Sequence, residues 1–142
     1  MDDRKLQITK SFRMEMMGTG LYRSLSAQYR KREPKLSERF WEFAGHEYMH
    51  GRFFSKHFQK TYGKELSGER FWIFLGKVTA FMMRPMPLKV KLRKLSTIES
   101  QAVARIEQVL KGEGDDGLHK IMKAILPDEK AHASLYREWF PA

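Results

Sequence analysis

Between Leu36 and Phe58 the chain places two ionisable residues on the side of a helix that should be greasy. At helical spacing Leu36, Phe40, Phe43, Glu47, His50, Phe54 and Phe58 fall on one stripe. Five of these seven are large and apolar, so this is the face a helix turns into a core. Glu47 and His50 sit in its middle, three residues apart and on the same side. A carboxylate buried there without a partner costs several kcal/mol or must take up a proton. The stripe therefore calls for a positive partner.

Three further stripes carry the same anomaly. Leu118, Ile121, Ile125, Glu129, His132, Leu135 and Trp139 enclose a second Glu-x-x-His. Ile8, Phe12, Glu15, Thr19, Tyr22 and Tyr29 share a face with one carboxylate embedded in it. Leu88, Leu92, Leu95, Glu99, Val103, Ile106 and Leu110 surround another. In chain order the stripes carry Glu, Glu-x-x-His, Glu and Glu-x-x-His, the ligand pattern of a di-metal carboxylate centre in a four-helix bundle. Hard carboxylate oxygens with two imidazoles suit iron or manganese, with zinc possible and copper less so. Four carboxylates balance two divalent ions and leave a neutral site that can be buried. His46 points about 100° away from Glu47, and His57 and His119 read as surface or helix-end residues, so none of the three is expected to be a ligand.

The 142 residues predict one domain with a real core. Absence of cysteine excludes disulfides, zinc fingers, iron–sulfur clusters and a rubredoxin-type iron site. The charged start, Met1 to Lys10, does not read as a signal peptide, and no run approaches the roughly 18 apolar residues that span a bilayer. A cytoplasmic location, peripheral to the membrane at most, is the expectation. The formal charge of +10 is spread along the chain and reads first as solvated helix faces. No recognition motif accompanies it, so nucleic acid is not an expected partner.

Pro34 and Gly63 punctuate two long helices, about Lys5–Arg32 and Lys35–Tyr62, joined by a turn short enough to make them antiparallel neighbours. Ser67–Arg84 is a shorter, very apolar segment with Ser67 as expected N-cap and Pro85 and Pro87 closing it. It holds no stripe carboxylate. Either it is a crossover helix packed on the bundle, or Trp72, Phe74 and Phe81 present a membrane or docking surface. A third ligand helix is expected over about Leu88–Lys111. The last begins near Asp115 or Asp116, and Pro127 must kink it or restart it before Glu129.

The order Glu15, Glu47-x-x-His50, Glu99, Glu129-x-x-His132 resembles the ferritin-like di-iron carboxylate superfamily over essentially the whole chain. The resemblance implies an all-α, ferritin-like four-helix bundle with a short apolar crossover helix between ligand helices two and three. It further implies two iron ions bridged by Glu47 and Glu129, with Glu15 and Glu99 binding one metal each and His50 and His132 capping them. Tyr22, seven residues after Glu15, matches a tyrosine common beside the site. Asp128 matches an acid that orients a histidine, here His50, while His46 stands where the family places the second such acid.

Within the superfamily, the 52-residue separation of Glu47 and Glu99 and the Phe71–Gly76 crossover resemble demethoxyubiquinone hydroxylases. The chain is similar to rubrerythrins too, but has Ala102 where they carry a further glutamate. A cage-forming ferritin fits less well, its crossover being an extended loop. The implied activity is a di-iron oxidoreductase that activates O₂ or peroxide with electrons from a donor the sequence does not identify. Its substrate is a quinone-like lipid in one version; the alternative is a rubrerythrin-like peroxide reductase or ferroxidase. The non-enzymatic alternative is a basic helical adaptor with a structural di-metal site. A homodimer is left open.

Overall fold

The computed structural model describes residues 3–112, 114 and 116–142, and among these every regular element is a helix. They are α1 (Asp3–Tyr29), α2 (Pro34–Tyr62), α3 (Glu69–Met82), α4 (Leu88–Lys111), α5 (Asp116–Ala133) and α6 (Leu135–Trp139). The chain divides into two compact units, Met1–Arg84 and Pro85–Ala142.

In the first unit α1 and α2 run antiparallel. Near one end the Lys5 ammonium lies 5.2 Å from the Tyr62 ring centre; near the other, Ser26 and Ser37 exchange hydroxyl-to-carbonyl hydrogen bonds of 2.8 and 2.7 Å. The sequence reading extends α1 to Arg32, yet it stops at Tyr29. Glu33 precedes a proline and takes an extended φ of −139°, and Pro34 then opens α2. At the other end Gly63, at φ +69°, caps α2 by donating its N–H to the Gln59 carbonyl. Tyr22 is sandwiched by Phe40 and Phe43 at 5.9 and 5.5 Å, in a core with Phe12, Leu25, Leu36 and Phe54. Each such side chain contributes roughly 1.5–3 kcal/mol on burial.

The apolar segment after Gly63 is helix α3, packed on α1. Its expected Ser67 cap is corrected by the structure: Gly68 is the N-cap, at φ +88°, and no side chain caps the helix. Contact with α1 is backbone against backbone. A Cβ on Gly20 would meet the Ile73 carbonyl, and one on Gly76 would meet the Met17 carbonyl and lie 2.7 Å from the Leu21 nitrogen. Only glycine fits at either position.

The second unit pairs α4 with α5 and α6. Pro87 and Gly112 bound α4 where the sequence places its ends. Asp115 lies outside the described residues, and α5 starts at Asp116. Helix α5 runs through Pro127 without restarting, then breaks at Ser134, whose N–H is shared between the Lys130 and Ala131 carbonyls. Trp139 therefore belongs to a separate short helix rather than to the stripe of α5. Tyr136 ties α6 to α4, its N–H donating to Ser96 Oγ at 3.1 Å and its hydroxyl accepting from Arg93 at 2.9 Å. The core includes Leu92, Leu95, Ile106, Leu118, Ile125 and Leu135. Lys91 is buried beside Leu92, against the usual habit of lysine.

Candidate metal centre

The first unit brings together Glu15 of α1 with Glu47 and His50 of α2. Each offers a ligand atom within 4.8 Å of the other two, and His50 Nδ1 lies 3.4 Å from Glu15 Oε2. Glu47 and His50 are 4% and 1% exposed, whereas Glu15 is more open. Register explains the convergence: three residues on a helix bring Glu47 and His50 to one face, and antiparallel pairing sets α1 against it. Gly18, one turn from Glu15, gives this triad its room. A Cβ there would lie 3.0 Å from Glu47 Cδ and 3.2 Å from Oε2. The glycine thus cradles a carboxylate rather than a neighbouring backbone. The His46 ring stacks on His50 at 6.4 Å and 17°, outside the triad.

The second unit repeats the arrangement with Glu99 of α4 and Glu129 and His132 of α5, again with ligand atoms within 4.8 Å of one another. His132 Nδ1 lies 3.8 Å from Glu99 Oε2 and 3.8 Å from Glu129 Oε2. All three residues are buried.

Two carboxylates crowded into a buried space repel each other, and one protonated imidazole would offset only half their charge. A divalent cation would offset all of it, with the imidazole neutral and its ring nitrogen free to coordinate. Two carboxylates and one histidine per unit are therefore a donor set that fits iron, and in the first unit a glycine keeps the space such an ion needs.

The other expected site residues separate. Tyr22 is buried on the Glu15 face of α1, and Asp128 is half-buried beside Glu129. On α3, Phe74 and Phe81 are 59% and 65% exposed, together with Phe71 and Met82. Trp72 is a correction to the expected apolar surface. It is half-buried, with the Arg13 guanidinium 5.2 Å over its ring. Phe71 and Met82 belong to the same apolar segment, and at 55% and 72% exposed they extend the strip. Sequence reasoning missed the buried Lys91, whose spacing from Leu88 and Leu95 places it at the edge of the apolar stripe.

A family model described as Rubrerythrin matches residues 7–140. The chain belongs to the rubrerythrin family, a ferritin-like di-iron carboxylate family, and its all-helical architecture is the one that family predicts. No curated protein and no solved structure gives a match. Membership comes without the additional third-helix glutamate, since Ala102 holds that position. Among the described residues no helix is long and apolar enough to cross a membrane.

Proposed function

We propose that Glu15, Glu47, His50, Glu99, Glu129 and His132 hold two iron ions, and that the protein is an oxidoreductase acting on O₂ or peroxide. One observation carries this reading: the Glu plus Glu-x-x-His triad occurs twice, its Glu-x-x-His pair buried both times, in a chain of a di-iron family. Two ferrous ions, when bound, supply the electrons that reduce an O–O bond. The chain's part is to hold the ligands ionised and oriented in a dry interior. Phe43 and Phe54, one turn before Glu47 and one turn after His50, keep water from that side. Tyr22 and Asp128 are assigned hydrogen-bonding roles around the ligands, which orient imidazoles and tune their basicity.

For the substrate, the exposed Phe71, Phe74, Phe81 and Met82 of α3 favour a quinone-like lipid reached from a membrane surface. A hydroxylation of that kind needs two electrons from an external donor, with one oxygen atom entering the substrate and the other leaving as water. Peroxide reduction is the second reading, favoured by the family itself.

Anaerobic loading with Fe²⁺, followed by optical spectra on adding O₂ or peroxide, tests the class. Two irons per chain and a rapid absorbance change are expected. Two irons with no reaction toward either oxidant would leave the metals structural and the chain an adaptor. Flotation with anionic liposomes and reductant-dependent O₂ uptake separate the lipid version from peroxide reduction, which ignores lipid.

A further inference from the structure

The ligand His50 stands inside a column of rings that runs along α2. Phe43, His46, His50 and Phe53 are spaced by three, four and three residues, so they climb one side of the helix turn by turn. The ring centres of Phe43 and His46 are 6.2 Å apart at 29°, those of His46 and His50 6.4 Å at 17°, and those of His50 and Phe53 6.5 Å at 31°. All three separations fall in the roughly 4.5–7 Å range of interacting aromatic pairs. His50 therefore has a flat ring one turn before it and another one turn after it.

Orientation is what such a column can supply. The second torsion of a histidine is broad and roughly two-fold, so the side chain alone does not decide which edge of the ring meets the other ligands. Here Nδ1 faces Glu15, 3.4 Å from Oε2. A half turn of the ring would put a carbon in that place, and would have to break both stacks on the way. His46 is itself held from the solvent side. Its Nε2 lies 4.0 Å from Glu42 Oε1, while the other oxygen of Glu42 accepts a 2.7 Å hydrogen bond from Arg39. The Arg39 guanidinium lies 5.0 Å over Phe43, at the start of the column. Around His132 the positions that correspond to His46 and Phe53 hold Asp128 and Leu135, neither of them a flat ring. The column belongs to the first triad.

We propose that His46 is a positioning residue for the ligand His50, forming with Phe53 a clamp of flat rings that fixes the plane of its imidazole. The proposal rests on the metal reading above, and it asks of residue 46 a ring rather than a charge. Titrating the full chain with Co²⁺ and following its visible absorption reads both affinity and ligand geometry. The wild type should bind two ions. His46→Leu keeps bulk but removes the flat ring, so it should weaken binding of one ion about tenfold and change the visible spectrum. His46→Phe restores a ring and should return affinity and spectrum to those of the wild type. Phe53→Leu takes away the other side of the clamp and should repeat the effect of His46→Leu. Circular dichroism checks that each variant keeps its helices. Equal behaviour of His46→Leu and His46→Phe, whether both match the wild type or both fall, would overturn the clamp. A wild type that takes up no Co²⁺ would sink the metal reading itself, and the clamp with it.

Discussion

The two triads are near copies in sequence and differ in what holds them. Glu47 and His50 ride on α2, an unbroken 29-residue helix that is capped at Gly63 and pinned to α1 by the paired serines. Glu129 and His132 ride on α5, with Pro127 two residues before the first and a helix break two residues after the second. Ligand identity is thus set by the Glu-x-x-His spacing alone, while rigidity is set separately by the frame. The first frame is built around glycines that allow close approach. The second contains a proline that removes a helical hydrogen bond at the site's edge.

The largest expected effect treats the triads as equals. His50→Ala and His132→Ala should each lower iron content from two per chain towards one and cut turnover about 100-fold or more. Iron analysis beside steady-state rates checks this. Loss of both irons from one variant and a single iron from the other would show that one triad governs filling of the other.

Next in size is a change confined to the first frame. Gly76→Ala would drive a Cβ into the backbone of α1, so a loss of about 2–4 kcal/mol in chemical denaturation is expected. A variant as stable as the wild type would mean that the α1–α3 contact is looser than it looks. Gly18→Ala probes the site itself. Alanine favours the helix by up to about 1 kcal/mol, but its Cβ crowds the Glu47 carboxylate. Iron affinity should fall about tenfold while the melting temperature holds or rises. Its counterpart, Pro127→Ala, should stabilise the second unit by about 1–3 kcal/mol. An accompanying drop in iron affinity would show that the proline sets the aim of Glu129, and unchanged affinity that the kink is incidental.

These contrasts also show what the sequence could announce. Buried carboxylates on apolar stripes are conspicuous because they violate a strong rule, so both triads, and the helices α2 and α4 between their proline and glycine punctuation, were legible. Close approaches of backbone were not. Gly20 looks like a mere weakness in a helix until Ile73 is seen against it. Ser67 has the right chemistry for an N-cap, but the turn needs a positive φ one residue later, and only Gly68 supplies it. Lys91 stands one turn from Leu88 and Leu95 at the edge of the Glu99 stripe, but a lysine there reads as a side chain that carries its ammonium out to water. Trp72 read as surface because it sits among apolar neighbours, yet tertiary packing hands it to Arg13.

The smallest effect concerns how the second frame compensates for its break. After Ser134 the chain is held to α4 by Tyr136, whose hydroxyl accepts from Arg93. That hydrogen bond lowers the phenol's pKa below its ordinary value; desolvation opposes it, and the charges of Arg93 and Lys89 add to the lowering. The folded state therefore favours the phenolate. Its contribution to stability is full above the unfolded phenol's pKa and disappears as pH falls through the lowered folded value. A spectrophotometric titration at 295 nm should show one of the five tyrosines ionising ahead of the others. Arg93→Leu should move that ionisation back to the ordinary range and speed amide exchange in α6, leaving α1 and α2 unaffected. If the early-titrating tyrosine survives the substitution, some contact other than Arg93 anchors α6, and the second frame is more firmly built than its broken helix suggests.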